Sequence, residues 1–302
     1  MNPAAPVPTL GDFFAAWELF RDPVLAALIA GATLGYLGVY IVLRRMVFVS
    51  AALSQAAGLG VAFAFYAEIV LGATGLFDEP LLWATIFTLL TTLVLAKPGR
   101  DRWLSRESVL GWVYLIGSAG ALIVGTRIQQ EAHEISSILF GSAVLVTPAD
   151  LHLLAAVSLV VMVVQLFAAR GFRFASFDPD GAKVRGLPVA LLDTVLFASI
   201  AVVVSFATRV LGALPIFAFS VLPAMAAILI APSVPIALAL ATVFGAVSGG
   251  IGYVVSFRFS WPVGASQAAT AVMLVIVTAA FRSIRDRIAA AHPPHTSLRP
   301  AG

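Results

Sequence analysis

From Val24 to Leu43 the chain runs without a charged side chain, and it does so again and again along its length. A helix needs about 20 mostly apolar residues to cross the hydrocarbon of a bilayer. By that measure nine stretches qualify, at 24–43, 50–67, 81–97, 108–126, 150–168, 189–208, 212–231, 235–256 and 263–281. Between them lie charges and prolines: Arg44-Arg45, Lys97-Pro98-Gly99-Arg100, Pro148, the polar run 170–188, Pro232 with Pro235, and Trp261-Pro262. The weakest stretches are 50–67, rich in Ala and Gly, and 212–231, which holds Pro215 and Pro223; eight spans is the alternative count. Of the 302 residues 61% are hydrophobic and 11% charged. A soluble domain could not hide that much apolar surface from water. The expected fold is therefore all-α, a single polytopic bundle of membrane helices over 1–302.

The few charges orient it. With the N-terminus outside, Arg44, Arg45, Lys97, Arg100, Arg102, Arg106, Arg170, Arg173, Lys183, Arg185, Arg282, Arg285, Arg287 and Arg299 fall inside. Only Arg21, Arg127, Arg209 and Arg258 fall outside, which accounts for all 18 basic residues. Basic loops stay on the cytoplasmic side, so the expectation is an inner-membrane protein with N-terminus out and C-terminus in. Residues 1–21 read as an outer tail without the basic region of a signal peptide, and 282–302 as a cytoplasmic tail. The net charge of +3 reflects these loops and suggests no nucleic-acid partner. Cysteine is absent, which excludes disulfides and thiolate metal sites. The segment 127–149 lies outside, and its apolar part, 135–146, is too short to span; it reads as a re-entrant or interfacial helix.

Several local patterns bear on chemistry. In the cytoplasmic run 170–188, Asp178 suits an N-cap, Pro179 a first helical position and Gly186 a stop. A short capped helix around Ala182 follows, either a solvated loop or a docking element for a soluble partner. Asp180-Gly181 with Arg185 is faintly similar to the CDP-alcohol phosphotransferases, but only Asp193 follows where further aspartates should hold metal ions. His133-Glu134 begins a zinc-protease pattern that fails at Ser137. Glu131, His133 and Glu134 then read as a solvated outer loop or as an acidic surface for an extracytoplasmic partner. Ser50 and Ser54 share a helix face, with Gln55 beside them; they either bond between helices or line a pathway. Gly31, Gly35 and Gly38, Gly58 and Gly60, and Gly245, Gly249, Gly250 and Gly252 point to close helix packing. Pro223 frees a carbonyl in mid-membrane, as a kink or a broken helix lining a cavity would. Asp193 and Arg209 sit at opposite ends of one span and need no partner in the core. No glycine-rich phosphate loop ends in Lys-Ser or Lys-Thr, so the chain is not expected to bind ATP in the usual way by itself, and no cofactor is expected in it.

Five collinear blocks resemble the ABC-3 permeases, membrane subunits of bacterial zinc, manganese and iron importers. They are Gly38–Met46 with Ser54–Gly60, Glu107–Gly111, Ile138–Ser142 with Asp150-Leu151, Phe177–Asp180 with Ala182 and Gly186-Leu187, and Leu222-Pro223-Ala224 with Ala226-Ala227. The resemblance spans about residues 20–285. It implies a homodimer or a pair of related permeases around one pathway. It also implies a cytoplasmic ATPase docked on the helix shaped by Asp178, Pro179, Ala182 and Gly186, and an extracytoplasmic substrate-binding protein. The gate is expected at Ser50, Ala51, Ser54 and Gln55. Family members hold Asp and His, i and i+4, on that span; here these positions are Ala51 and Gln55, and the Pro usual before the glycine is Leu59. A methyl group coordinates nothing, and an amide oxygen is a weak ligand for zinc. The expected function is a permease subunit of an ATP-driven importer, not itself an enzyme, moving a divalent metal or a metal-derived solute. The alternatives are a non-metal or metal-chelate solute, and a secondary transporter or channel working alone. The latter would call for buried carboxylates or histidines in mid-membrane, and the spans hold almost none.

Overall fold

The computed structural model describes residues 9–72, 74, 75, 77, 79–96, 106–127 and 146–291. Each expected span is a helix. In chain order they are α1 (Leu10–Ala15), α2 (Trp17–Leu43), α3 (Val47–Ile69), α4 (Pro80–Ala96), α5 (Arg106–Arg127), α6 (Pro148–Phe167), α7 (Ala169–Phe177), α8 (Pro179–Val184), α9 (Val189–Leu211), α10 (Ala213–Ile230), α11 (Val234–Phe259) and α12 (Val263–Ala291). Eight of these are long and apolar enough to cross a bilayer. The ninth expected span, α4, has 17 residues, about 25 Å of helix against a hydrocarbon core of about 30 Å. Its neighbours nevertheless require it to traverse the bundle. Gly117 and Gly120 of α5 pack on Gln55 and Leu59 of α3, so α3 and α5 run parallel. Two parallel helices joined in sequence need a crossing between them, and α4 makes it.

The centre of the bundle is α2 against α11. A Cβ on Gly31 would collide with the carbonyl of Gly245, and one on Gly245 with the carbonyl of Gly31. Backbones this close have no room for a side chain, which is why small residues mark the seam. The pairing of Gly35 with Ala241 and of Gly249 with Ala27 makes the two helices antiparallel. α10 packs beside them, with Ser220 against Gly38. It is continuous through Pro223, so this proline does not break the helix. α3, α4 and α5 form a flank joined to the centre through α9. One wide core of Leu, Ile, Val, Ala and Phe side chains runs through α2, α3, α6, α9, α10 and α11.

Two differences from the sequence reading concern the ends. The N-terminal segment is helical from Leu10, because Thr9 and Asp12 form a reciprocal capping box and Phe13 is buried against Phe20 and Phe257. α2 accordingly begins at Trp17 rather than Val24, carrying Glu18, Arg21 and Asp22 on a turn that apolar counting rejects. The polar run 170–188 holds two helices, α7 and α8, where one was expected.

Candidate functional site

α2 turns into α3 through three residues. Arg45 lies at φ 57°, in the left-handed region. Its N–H donates to the carbonyl of Val42, and that of Met46 to Ile41, both at 3.0 Å. This closes the helix as a glycine cap would, with an arginine in the glycine's place. The stretch 50–55 therefore begins within one turn of a tight, hydrogen-bonded hairpin.

On α3, Ser50 and Ser54 are fully buried. Their hydroxyls donate to carbonyls of their own helix, Val47 at 3.1 Å and Ala51 at 3.0 Å. Those protons go to carbonyls of the same helix, so neither hydroxyl donates to another helix. The partly open side of the helix runs along Phe48, Gln55, Leu59, Phe63 and Tyr66, and Ala51, one turn before Gln55, lies on that line. Gln55 has its amide oxygen buried without a hydrogen-bond partner. Gly58, three residues on, is buried, yet a Cβ built there meets nothing within 4 Å. Ala51, Gln55 and Gly58 (i, i+4, i+7) thus give one face a methyl group, an unpaired acceptor and open space. α5 covers part of it, since Gly117 would place a Cβ 2.7 Å from the backbone of Gln55. Among the described residues no group of three or more His, Asp and Glu could hold a metal ion.

The second assembly lies at one end of the bundle. Asp178 accepts a hydrogen bond from the backbone N–H of Gly181 at 2.8 Å, Pro179 opens α8, and Gly186 follows it at φ 76°. Ala182 is buried in a small core with Ala175, Val189, Phe174, Leu187 and Leu192. The outer face stays free: Val184 is 88% exposed. α8 is thus a rigid, projecting helix fixed to α7 and α9.

The α2–α3 turn is tied to the two helices that flank α8 through Arg44, which the sequence offers as an inside charge and as part of the Gly38–Met46 block. Its Nη1 donates to Asp193 of α9 at 2.5 Å and its Nε to the hydroxyl of Ser176 on α7 at 2.9 Å. Asp193 needs no partner in the core, and its partner lies at the end of the bundle. It has one because α2 ends level with the start of α9, so the cation reaches it across 149 residues of sequence. Arg209, at the other end of α9, contacts Glu79 at 3.4 Å and Asp150 at 3.3 Å, beside a cavity of about 640 Å³. A basic cluster marks one end of the bundle and this acid-bracketed arginine the other. Glu131, His133 and Glu134 lie outside the described residues.

Comparison with known proteins places the arrangement. A manganese transport system membrane protein of Halalkalibacterium halodurans is 25% identical over 255 residues, covering 84% of each chain. A chelated iron transport system membrane protein of Yersinia pestis is 27% identical over 266 residues, covering 88% of this chain and 84% of its own. Among solved structures, PsaBC from Streptococcus pneumoniae in complex with Fab superposes with a TM-score of 0.78 over 92% of this chain and 100% of that chain, at 22% identity. The model of the ABC 3 transport family matches residues 16–282, nearly the whole of the bundle described above. The chain is a membrane subunit of the ABC 3 transport family.

Proposed function

We propose that this subunit is the permease of an ATP-driven importer, with the ATP hydrolysed by a separate cytoplasmic ATPase that docks on α8. The observation that carries this is the capped, projecting helix tied through Ser176, Arg44 and Asp193 to the α2–α3 hairpin. A push on α8 is delivered to the turn from which α3 carries Ala51 and Gln55. The end bearing Arg44, Arg170, Arg173, Lys183 and Arg185 faces the cytoplasm, as the positive-inside rule requires. An extracytoplasmic binding protein delivers the solute at the Arg209 end. Two copies, or this chain and a related one, bring their α3 faces together around the pathway.

The solute is a divalent metal ion or a small chelate of one. The relatives' names point to manganese and iron. The α3 face favours the chelate, because it holds a methyl group and a neutral amide where a bare ion would want carboxylate and imidazole. Selectivity then rests with the binding protein, and the pathway needs only to bind weakly enough to release.

The test is reconstitution with the ATPase and binding protein, scoring uptake of manganese, zinc and iron, free and chelated, per ATP hydrolysed. Ala182→Pro removes the 2.9 Å bond from Ala182 N–H to Asp178 and disrupts α8. It should abolish ATP-dependent uptake while the permease still inserts. Uptake at the native level in that variant would remove the docking role.

A further inference from the structure

α7 carries Arg170, Arg173, Phe174 and Phe177 at i, i+3, i+4 and i+7, which is one helical face. With Val234 and Pro235 at the start of α11, these four side chains line an open cavity of about 400 Å³. The opposite face of α7, with Phe172 and Ala175, is buried in the bundle. The lined face is therefore turned outward at the level where membrane-spanning helices end. Phe167 and Phe177, 89% and 59% exposed, flank it with apolar surface.

The charge in this cavity is uncompensated. Among the described residues neither Arg170 nor Arg173 has a carboxylate within 4 Å; Arg173 gives its Nε only to the carbonyl of Ala169, at 3.1 Å. The comparable cavity at the same end, between Leu229 and Arg282–Arg287, differs on this point. There Asp286 stands 3.6 Å from Arg282 and 3.7 Å from Arg285. Two similar basic cavities, one holding a carboxylate of its own and one holding none, call for different occupants.

We infer that the α7–α11 cavity binds the headgroup of an anionic phospholipid, its phosphate held by Arg170 and Arg173 and its acyl chains leaving along Phe177, Val234 and Pro235. Guanidinium groups match phosphate oxygens in geometry and charge. A free phosphate would satisfy the arginines and leave the apolar walls in water, whereas a lipid satisfies both. The occupant also bears on α8. The guanidinium of Arg185, which follows α8, lies over the Phe174 ring, 4.9 Å from its centroid, so the lipid and the docking helix share one aromatic side chain. The binding site itself stands without the docking role of α8, and its test measures lipid alone.

The full-length protein in neutral detergent is titrated with dioleoylphosphatidylglycerol, dioleoylphosphatidylcholine and inorganic phosphate, and bound lipid is counted by native mass spectrometry. Phosphatidylglycerol should bind in preference to phosphatidylcholine, and excess phosphate should not displace it. Each basic residue near an anionic lipid contributes a factor of about five, so Arg170→Gln with Arg173→Gln should weaken binding about 30-fold. Arg170→Lys with Arg173→Lys should retain most of it, and Arg282→Gln should leave it unchanged. If the double glutamine variant does not fold, each single variant should lose about five-fold. Native-level binding by folded glutamine variants, equal binding of the two lipids, or displacement by phosphate would each overturn the assignment, the last in favour of a soluble anion.

Discussion

Replacing Asp193 by alanine and Arg44 by methionine should cost different amounts, although each breaks the same ion pair. The Arg44 side chain is 10% exposed and that of Asp193 is 39% exposed. Removing Asp193 strands a buried cation whose Nη2 already lacks a partner. Breaking a fully buried pair from one side costs about 3–5 kcal/mol, and an exposed pair is worth under about 1 kcal/mol. Since water reaches Asp193 but hardly Arg44, Asp193→Ala should cost about 2–3 kcal/mol. Arg44→Met leaves an aspartate that hydrates freely, and the methionine keeps most of the apolar stem, so the loss should be about 1 kcal/mol. The double variant should resemble Arg44→Met alone, giving a coupling energy of about 2 kcal/mol. Equilibrium unfolding of the purified protein in mixed micelles, run as a double-mutant cycle, measures all three. A cost for Arg44→Met equal to or above that for Asp193→Ala, or a coupling below about 0.5 kcal/mol, would refute the reasoning.

Other outcomes follow from the same geometry. Gly245→Leu forces a side chain into the Gly31 backbone and should lose at least about 3 kcal/mol, read as a collapse in the yield of monodisperse protein. With the proposed orientation, a cysteine at Leu71, 64% exposed just beyond the C-terminal end of α3, should react with an impermeant thiol reagent in intact cells, while one at Val184 should not; the reverse pattern would invert the topology. Ala51→Asp with Gln55→His puts carboxylate and imidazole on the open α3 face and should create zinc or manganese binding absent from the native protein, measured by calorimetry.

Much of the bundle is legible in the sequence because hydrocarbon imposes one simple length on every element. The seams were legible too: glycines at four-residue spacing on α2 and α11 are those whose backbones touch. The capped helix at 178–186 could be read residue by residue, since Asp, Pro and Gly each fix a local conformation that tertiary context leaves alone. The early start of α2 was not legible, because Glu18, Arg21 and Asp22 look like the end of a span to any measure that counts apolar residues. Nor was the role of Arg44. A lone arginine after an apolar run reads as an orientation signal, and nothing in the local pattern announces a partner 149 residues away. Ser50 and Ser54 illustrate the converse. Their spacing advertises a polar face, but a buried hydroxyl in a helix satisfies itself most cheaply on its own carbonyls, and these two do so.

That last point reshapes the pathway face. With both serine protons used locally, Gln55 leaves its amide oxygen buried without a partner, beside the Ala51 methyl and the space at Gly58. An unpaired buried acceptor is costly in isolation. A dehydrated divalent ion would be held too weakly by one neutral oxygen to leave its water. A solute that brings its own ligands needs no more than a hydrogen-bond acceptor and room to pass. Ala51 and Gln55 leave this α3 face uncharged, and that is the ground on which the proposed chelate is preferred to a naked metal ion.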